Sequence, residues 1–442
     1  MTGAPTDSTD LTPASLRLDA AGRHAARAMD AMDPMALMRE RFLVPAGPDG
    51  HPTAYFTGNS LGLQPRRVRQ LVDEELDDWA RHGVEGHFRG RRPWYTYHEQ
   101  VRDPLARLVG AGPHEVVAMN SLTVNLHLMM VSFFRPEGRR RKILMEHPAF
   151  PSDTYAIKTH LVTRGLDPAE DLIVVGPREG EEGPRDADIV DAIREAGDEL
   201  AMVLLGGVNF FTGQVLDMPG ITEAAHRAGA ICGWDLAHGA GNIPLQLHDW
   251  DADFACWCSY KYLNGGPGAV SAAFIHERHA RNSELPRYAG WWGNDPDKRF
   301  LMHLQPEFHA RADADGWQLS NPPILGLTPL IASLELFDEV GMDHLRERSL
   351  QLTPYLRSLL ETSAAASGRD WFEIITPSDP ERHGCQLSIL LKDRPKERFA
   401  ALERAGVVVD FREPNVIRAA PAPLYNGFED CWRLAAALAS LD

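Results

Sequence analysis

Lys261 and Asp235 are the two residues of this sequence whose types and surroundings point most directly to chemistry. Lys261 lies shortly after the apolar run 254–258, and a glycine-rich segment, 265–268, follows it. Asp235 ends an earlier apolar run, 230–234. Both runs have the composition of buried strands. An amine and an acid therefore stand at the ends of two candidate neighbouring strands.

A primary amine beside a buried carboxylate is the pair that a pyridoxal phosphate (PLP) enzyme requires. The amine holds the cofactor aldehyde as a Schiff base, and the carboxylate keeps the pyridine nitrogen protonated, so that the ring accepts electrons. The apolar run before Lys261 supplies the desolvation that makes an amine nucleophilic near neutral pH. Taken singly, Lys261 would be a surface lysine and Asp235 a helix cap. Their pairing favours the catalytic interpretation.

A phosphate site is predicted where Ser121, Leu122 and Thr123 follow the predicted strand 116–119 and open the predicted helix 123–134. Backbone amides at a helix N-terminus, together with small hydroxyl side chains, bind phosphate groups. The alternative is an ordinary Ser or Thr N-cap. The sequence contains neither a Walker A motif nor a strand-linked GxGxxG, so nucleotide binding is the weaker hypothesis.

A ring site is predicted from Phe150, Ser152 and Asp153, which follow another apolar run. An aromatic side chain there would stack on the cofactor ring, and Asp153 would be a second carboxylate beside it. Ser152 alternatively caps the next helix. His238, three residues after Asp235, would hydrogen-bond Asp235 or a cofactor oxygen, or else be a structural histidine.

Substrate contacts have weaker signals. Arg418 has the planar guanidinium with which an amino-acid enzyme clamps an α-carboxylate, although many arginines of this sequence have the pattern of surface charges. Aromatic and polar residues in Gly- and Pro-rich segments suit an aromatic substrate pocket, while a core or a subunit interface explains them equally well. These residues are His87, Trp94, Trp291, Trp292, Ser320 and Asn321.

The middle of the chain alternates short apolar runs with helical patterns. The predicted strands are 116–119, 142–146, 172–175, 202–206, 230–235 and 254–258. The predicted helices between them are 123–134, 152–164, 187–197 and 219–228. This alternation predicts βαβ units and an α/β fold with a mostly parallel sheet between helices. Ligands of such sheets bind beyond the carboxyl ends of the strands, where Asp235 and Lys261 would lie.

The flanking regions have a different pattern. Apolar periodicity predicts helices over 22–42, 67–82, 330–340, 345–362 and 428–441. Strands are predicted over 372–375, 386–391 and 407–411. We therefore expect three parts: an N-terminal segment, 1–65, that contributes to a small domain; a large PLP-binding domain, 66–330; and a C-terminal small α+β domain, 331–442.

Composition excludes several classes of protein. An apolar fraction of 44% and a charged fraction of 24% are typical of globular proteins. The net charge of −17 argues against nucleic acid or an anionic membrane surface as the main partner. The longest apolar stretch, 126–134, is too short to span a bilayer, and no leader pattern precedes it. Five cysteines without metal-ligand spacing favour a reducing, cytoplasmic location and no metal site.

With these residues in place, the chain resembles the kynureninase family, which are fold-type I PLP enzymes of the aminotransferase class V group. The resemblance covers roughly residues 30–440. Its most specific block is Cys256-Trp257-Cys258-Ser259-Tyr260-Lys261-Tyr262-Leu263-Asn264. The other matching blocks are 59–65, 90–94, 122–128, 150–153, 211–214, 235–238, 320–324 and 418–426.

The resemblance implies a large domain of the seven-stranded type, a homodimer with active sites at the subunit interface, and a role for each site residue. Lys261 would carry PLP and move protons, and Asp235 with Asp153 would face the pyridine nitrogen. Tyr260 would bind the phosphate and donate a proton. The remaining cofactor contacts would be Leu122, Thr123, Phe150, Pro151, Ser152, Gly206 and His238, with Trp291 and Asn321 from the other subunit. The substrate contacts would be Arg418 at the carboxylate and His87, Ser320 and Asn321 around the aromatic ring.

The implied reaction is hydrolytic Cβ–Cγ cleavage of L-kynurenine or 3-hydroxy-L-kynurenine, which yields L-alanine and anthranilate or 3-hydroxyanthranilate. It belongs to tryptophan catabolism and the supply of NAD precursors. The alternative is another class V PLP lyase, such as a cysteine desulfurase or selenocysteine lyase, which should carry a reactive cysteine on a mobile loop. Two departures from the family pattern are Gly206, where relatives often have a serine, and Asn294, where a histidine is common.

Overall fold

The structure, a computed structural model, describes residues 11–441. The α-helices in this range are α1 Ala20–Met32, α2 Arg67–His82, α3 Glu99–Val109, α4 Leu122–Phe133, α5 Pro151–Thr163, α6 Pro168–Asp171, α7 Asp186–Ala196, α8 Met218–Arg227, α9 Glu277–Ala280, α10 Ile324–Val340, α11 Met342–Ser367, α12 Pro395–Arg404 and α13 Phe428–Ala439. The strands in this range are β1 Phe42–Leu43, β2 Ala54–Tyr55, β3 Gln64–Pro65, β4 Val116–Ala118, β5 Lys142–Glu146, β6 Leu172–Val175, β7 Leu200–Gly206, β8 Ile231–Asp235, β9 Phe254–Trp257, β10 Ala272–Ile275, β11 Phe372–Ile374, β12 Leu387–Leu391, β13 Val407–Val408, β14 Asp410–Arg412 and β15 Val416–Ala419. None of the helices so described is both long and apolar enough to cross a membrane.

The described residues form two compact units. The larger comprises 67–210 and 214–339, and the smaller comprises 11–66, 211–213 and 340–441. The change of sequence pattern near residue 330 predicts a domain boundary there. In the structure, α10 continues through this position to Val340, and almost all of it belongs to the larger unit. The N-terminal residues 1–10, part of the predicted segment 1–65, lie outside the described range.

The larger unit contains a seven-stranded sheet in the order β4-β10-β9-β8-β7-β5-β6. Neighbours from β6 to β9 pair in parallel, and β10 is antiparallel to both β4 and β9. This confirms the mostly parallel α/β fold. The interior strand β7 is apolar along its length and almost wholly buried, as expected for a strand covered by helices on both faces. The helices predicted between the strands are confirmed as α4, α5, α7 and α8.

Strand β10 was not predicted from the sequence. Its segment, Ala272–Ile275, is short, contains two alanines and lacks the alternation of polar and apolar residues that marks a half-buried strand. The strand is nevertheless fully buried between β9 and β4, because the sheet and not the local pattern determines its conformation.

The smaller unit contains a four-stranded antiparallel sheet in the order β11-β12-β15-β14. The prediction of one strand over 407–411 was wrong, because β13 pairs with β2 whereas β14 pairs with β15. Strand β15, which carries Arg418, was missed. The hydrophobic core of this unit includes Leu356, Trp371 and Leu434.

The prediction of one helix over 22–42 was also wrong. Helix α1 ends at Met32, and a 3₁₀ turn, Ala36–Arg41, leads into β1. Pro34 is the physical reason, since proline disfavours the helical conformation of the residue before it. The Asp33 side chain accepts a hydrogen bond from the Met35 amide at 2.8 Å, which stabilises the turn.

Candidate active site

A pocket of the larger unit lies at the carboxyl ends of β5, β7 and β8, which are neighbours in the sheet. These strands end at Glu146, Gly206 and Asp235, respectively. The sequence-predicted residues that line the pocket are Leu122, Thr123, Phe150, Asp153, Gly206, Asp235, His238, Tyr260 and Lys261.

Lys261 is buried in this pocket, so the surface-lysine alternative is wrong. Its Nζ atom lies 2.9 Å from His238 Nε2 and 5.7 Å from the centroid of the Phe150 ring. The turn after it is closed by the Gly265 amide, which donates to the Ser259 carbonyl at 2.8 Å. A Cβ atom at Gly265 would lie only 2.8 Å from that carbonyl oxygen, so the turn that positions the lysine requires a glycine.

Two carboxylates line the same pocket as the Lys261 amine. Asp235 Oδ1 accepts the Ala237 amide at 2.7 Å within a turn. No α-helix in the described range begins there, so the helix-cap alternative is wrong. Asp153 lies in the first turn of α5, and its buried Oδ1 has no hydrogen-bond partner among the described residues. Burial, followed by the nearby Asp235 charge, raises the pKa of Asp153 well above its usual value. A buried acceptor without a donor, in a pocket with two acids, fits the protonated ring nitrogen of PLP.

The opposite side of the pocket is the N-terminus of α4. Ser121 occupies the N-cap position, but its side chain makes no capping hydrogen bond, so the ordinary N-cap alternative is wrong. Thr123 Oγ1 lies 3.0 Å from Ser152 Oγ, which joins α4 to α5. Ser152 is not a cap either, because α5 begins at Pro151 with Phe150 at its N-cap. The first-turn amides and two hydroxyls are the donors that a phosphate group needs.

Aromatic groups complete the pocket. The ring of Phe150 packs edge-on against Phe210, with centroids 5.5 Å apart, and Phe210 was not singled out from the sequence. Tyr260 is half-buried beside Cys258, and burial together with that thiol raises the pKa of its phenol. The Tyr260 hydroxyl therefore keeps its proton at neutral pH.

Glu146 is a pocket residue that the sequence analysis missed. It ends β5, its side chain is buried, and burial raises its pKa to about 7. Its Oε1 accepts the Gly206 amide at 3.1 Å. The available signal was a carboxylate at the end of an otherwise apolar predicted strand, the same pattern that identified Asp235.

Six predicted contact residues of the larger unit do not line this pocket, and two of them, Pro151 and Ser152, lie in the first turn of α5 beside it. Ser320 and Asn321 are exposed, Trp291 is 36% exposed, and His87 is half-buried with its ring 5.4 Å from that of Trp94. Trp292, in contrast, is a core residue. The Arg299 guanidinium lies 4.2 Å from its ring centroid.

The loop that carries His87 is held by a buried acid, Glu75. Arg92 Nε lies 2.6 Å from Glu75 Oε1, and Trp94 Nε1 donates to Glu75 Oε2 at 2.9 Å. Tyr97 also donates to this carboxylate, at 3.2 Å. The side chains of Arg92 and Trp94, in the motif 90–94, therefore fix this surface loop through their contacts with the Glu75 carboxylate.

Arg418 lies in β15 of the smaller unit and is buried. Its Nε donates to Asp410 Oδ1 at 2.9 Å, and Arg412 Nε lies 2.8 Å from the same oxygen. Burial alone would raise the pKa of Asp410, but the two guanidinium groups outweigh it and lower that pKa. The Asp410 carboxylate therefore fixes the Arg418 side chain within its own unit.

The departure at Asn294 has a structural explanation. Asn294 is buried, and its side-chain oxygen accepts the His309 amide at 2.9 Å. The same residue forms an isolated bridge with Ala310. Asn294 therefore closes a loop of the larger unit.

Solved structures share this fold. A cysteine desulfurase from Thermococcus onnurineus NA1 has a TM-score of 0.71 at 18% identity, with 88% of this chain and 94% of that chain covered. A cystine C–S lyase in complex with its reaction product cysteine persulfide has a TM-score of 0.72 at 18% identity, with 88% and 97% covered. At this identity the likeness shows the fold alone.

The cysteines do not fit a desulfurase. All five are buried. Burial raises the pKa of Cys232 and of Cys256, and it raises the pKa of Cys258 to about 11. Reactive cysteines are accessible and have a lowered pKa, so these thiols are structural.

The fold and the pocket define a PLP-dependent enzyme of fold type I, and the family model for aminotransferase class V matches residues 54–383. A second model, for the kynureninase C-terminal domain, matches residues 345–438. A kynureninase from Koribacter versatilis is 53% identical over 405 residues, which cover 92% of this chain and 94% of the relative. One from Myxococcus xanthus is 54% identical over 408 residues, with 92% and 94% covered. The chain belongs to the kynureninase family, whose members use PLP and cleave kynurenine.

Proposed function

We propose that this enzyme hydrolyses the Cβ–Cγ bond of L-kynurenine, 3-hydroxy-L-kynurenine or both, and releases L-alanine with the corresponding anthranilate. The observation that carries this proposal is the buried Lys261 amine facing two carboxylates, in a chain more than half identical to kynureninases. When bound, PLP supplies the electron sink that stabilises the negative charge formed on the substrate carbons. The protein supplies binding, orientation and proton transfer.

Lys261 would hold the cofactor aldehyde through its amine. The same Nζ would act as the base that takes the Cα proton of the substrate. His238 Nε2, 2.9 Å from Nζ, would hold this amine in position. The Phe150 ring, 5.7 Å from Nζ, offers a flat face on which the cofactor ring would stack.

Asp235 and Asp153 keep the pyridine nitrogen protonated. The Ala237 amide fixes one oxygen of Asp235, and the buried Asp153 Oδ1 is available to receive a donor. The electrostatic effect is large because the pair lies in a buried, low-dielectric site. At the phosphate end, Leu122, Thr123 and the Ser152 hydroxyl, adjoining Pro151, bind the anion at the N-terminus of α4.

Tyr260 is the proposed proton donor at Cβ after the carbon–carbon bond breaks. Its raised pKa, caused first by burial, keeps the hydroxyl protonated at the pH of the reaction. Water would add to the γ-carbonyl of the substrate, and the packed rings of Phe150 and Phe210 border the pocket in which this occurs.

The predicted contacts for the substrate ring and carboxylate are residues that do not line this pocket. We assign the α-carboxylate to Arg418, and the aromatic ring to His87, Ser320 and Asn321, with Trp291 and Asn321 contributed by the second subunit of a homodimer. What supports the dimer is that these loop residues are accessible in one chain and that apolar residues of the same unit are exposed. These apolar residues are Trp79, Val84, Phe88, Phe300 and Leu304. A cytoplasmic location completes the proposal.

The function is tested by a direct comparison of substrates. Protein reconstituted with PLP should convert L-kynurenine or its 3-hydroxy form to the anthranilate, followed by fluorescence, and to alanine in a 1:1 ratio. The kcat/KM values for the two substrates define the ring preference. Release of sulfide from L-cysteine without cleavage of either kynurenine would refute the proposal and favour a desulfurase.

Asp235→Asn isolates the charge of this residue, because the amide oxygen still accepts the Ala237 amide. We expect kcat/KM for kynurenine to fall about 10²- to 10³-fold, roughly 3–4 kcal/mol of transition-state stabilisation, with the melting temperature nearly unchanged. Asp217→Asn is the matched control. The Asp217 side chain, like that of Asp235, accepts a backbone amide, in this case at the N-terminus of α8, but Asp217 lies outside the pocket. Equal kcat/KM values for the Asp235 variant and the native enzyme would remove Asp235 from the mechanism.

A further inference from the structure

The pocket contains one more carboxyl group than the proposed chemistry uses. Asp153 comes from α5, Asp235 from β8, and Glu146 from β5, and all three side chains are buried in the same pocket. The other ionisable groups of this pocket are the Tyr260 phenol, the Lys261 amine and the His238 ring, and the last two lie 2.9 Å from each other. Three ionised carboxylates buried together would be strongly unfavourable, and burial with the nearby Asp235 charge already raises the pKa of Asp153.

Glu146 reaches this cluster because Gly206 has no side chain. Strand β7 lies between β5 and β8, and Gly206 pairs in register with Asp235. Glu146 Oε1 accepts the Gly206 amide at 3.1 Å, so its carboxyl lies over the end of β7. A Cβ atom at Gly206 would be only 3.0 Å from that oxygen. The Glu146 carboxyl therefore lies close to the space that the side chain of a serine at position 206 would need.

The surroundings of Glu146 favour its neutral form. Among residues 11–441, the donors to its carboxyl group are the backbone amides of Gly206 and of Glu146 itself, and neither carries a full charge. Burial raises the pKa of Glu146 to about 7, and the Asp235 charge acts in the same direction. A protonated Glu146 relieves the repulsion among the buried carboxyl groups.

We propose that Glu146 is a third, proton-holding carboxyl of the cofactor site, whose neutral form limits the negative charge that the cofactor ring experiences. It is a positioning residue, since it acts through Asp235 and Asp153. This inference rests on the proposed function insofar as PLP occupies the pocket.

The first test is the pH titration of the visible absorption of the PLP-loaded enzyme. The native enzyme should show a step near pH 7 that Glu146→Gln lacks, because the amide has the same shape and does not titrate. Glu170→Gln, which replaces an exposed glutamate of α6, should titrate like the native enzyme. Identical titrations of the native enzyme and Glu146→Gln would overturn the proposal. Loss of the visible band at every pH in a folded Glu146→Gln protein would also overturn it, because Glu146 would then act as an anion.

A second readout does not depend on the cofactor. A carboxyl group whose pKa is higher in the folded protein than in the unfolded chain stabilises the fold at pH values below its unfolded pKa. That contribution is lost as the pH rises through the folded pKa, which for Glu146 is about 7. In the full chain without PLP, the melting temperature of Glu146→Gln minus that of the native protein should therefore increase between pH 5 and pH 8, by about 4 °C or more. A pH-independent difference would overturn the inference. If PLP fails to bind at all, the proposed function fails while this difference still reports on Glu146.

Gly206→Ala tests the geometry without removing the acid. The added Cβ must displace the Glu146 carboxyl, so the step near pH 7 in the visible titration should shift. Gly176→Ala is the matched control. Gly176 follows β6, on the other side of β5 from β7, and its added Cβ would make only ordinary contacts, with His147 at 3.8 Å. A Gly206→Ala titration that matches the native one would contradict the placement of Glu146 over β7.

Discussion

Lys261→Ala is expected to give a colourless protein that no longer turns over kynurenine. The substitution removes the amine that holds the cofactor aldehyde and, in the same step, the base that takes the Cα proton. General base catalysis alone contributes about 10²- to 10⁴-fold, and loss of the covalent anchor adds to that, so we expect kcat to fall by about 10³-fold or more. Visible absorption after dialysis against PLP and anthranilate fluorescence measure the two effects separately.

The control for this variant is Lys158→Ala, which removes an exposed lysine of α5 in the same unit. It should keep both the colour and the activity of the native enzyme. A Lys261→Ala protein with an unchanged visible spectrum would show that another group carries the cofactor.

Arg418→Ala is expected to weaken capture of the substrate α-carboxylate by about 2–5 kcal/mol, because truncation of a desolvated charge partner leaves the other charge unpaired. The loss should appear in kcat/KM, through a raised KM. The same change also releases Asp410, so the stability of the variant must be measured beside its kinetics.

Arg412→Ala separates these two effects. Arg412 contacts the same Asp410 oxygen at 2.8 Å, but its side chain is 39% exposed. It should affect the electrostatics of Asp410 while leaving the carboxylate site intact, so kcat/KM should stay near the native value. If Arg418→Ala and Arg412→Ala reduce kcat/KM equally, Arg418 serves the fold of the smaller unit and not the substrate.

Much of the larger unit follows from the sequence because its strands are buried on both faces. The run that ends at Asp235 and the run before Lys261 are apolar throughout, and such runs separated by helical periodicity specify a parallel sheet. The position of a ligand pocket at the strand ends then follows from the topology. The chemistry of Lys261 and Asp235 could be predicted for the same reason: each is a charged residue that immediately follows a buried segment.

The elements that were missed depend on contacts distant in sequence. Strand β10 has no pattern of its own and forms because β9 and β4 leave a place for it in the sheet. The break after α1 was locally visible in Pro34 but was outweighed by continuing apolar periodicity. Glu146 was missed because its significance depends on Gly206, a residue on the neighbouring strand, whose missing side chain gives the carboxyl its place.

The substrate sites show the same division between local and distant information. Arg418 is one arginine among many in the sequence, and only its burial and its bond to Asp410 distinguish it from a surface charge. His87, Ser320 and Asn321 remain predictions from the family resemblance, since one chain leaves them accessible.

The central claim is that one particular amine, that of Lys261, binds PLP covalently. Sodium borohydride treatment of the PLP-loaded enzyme, followed by proteolysis and mass spectrometry, reads out that attachment directly. The account predicts a reduced pyridoxyl group on Lys261 with about one label per chain. A label on a different lysine, or a chain that takes up none after loading with PLP, would contradict it.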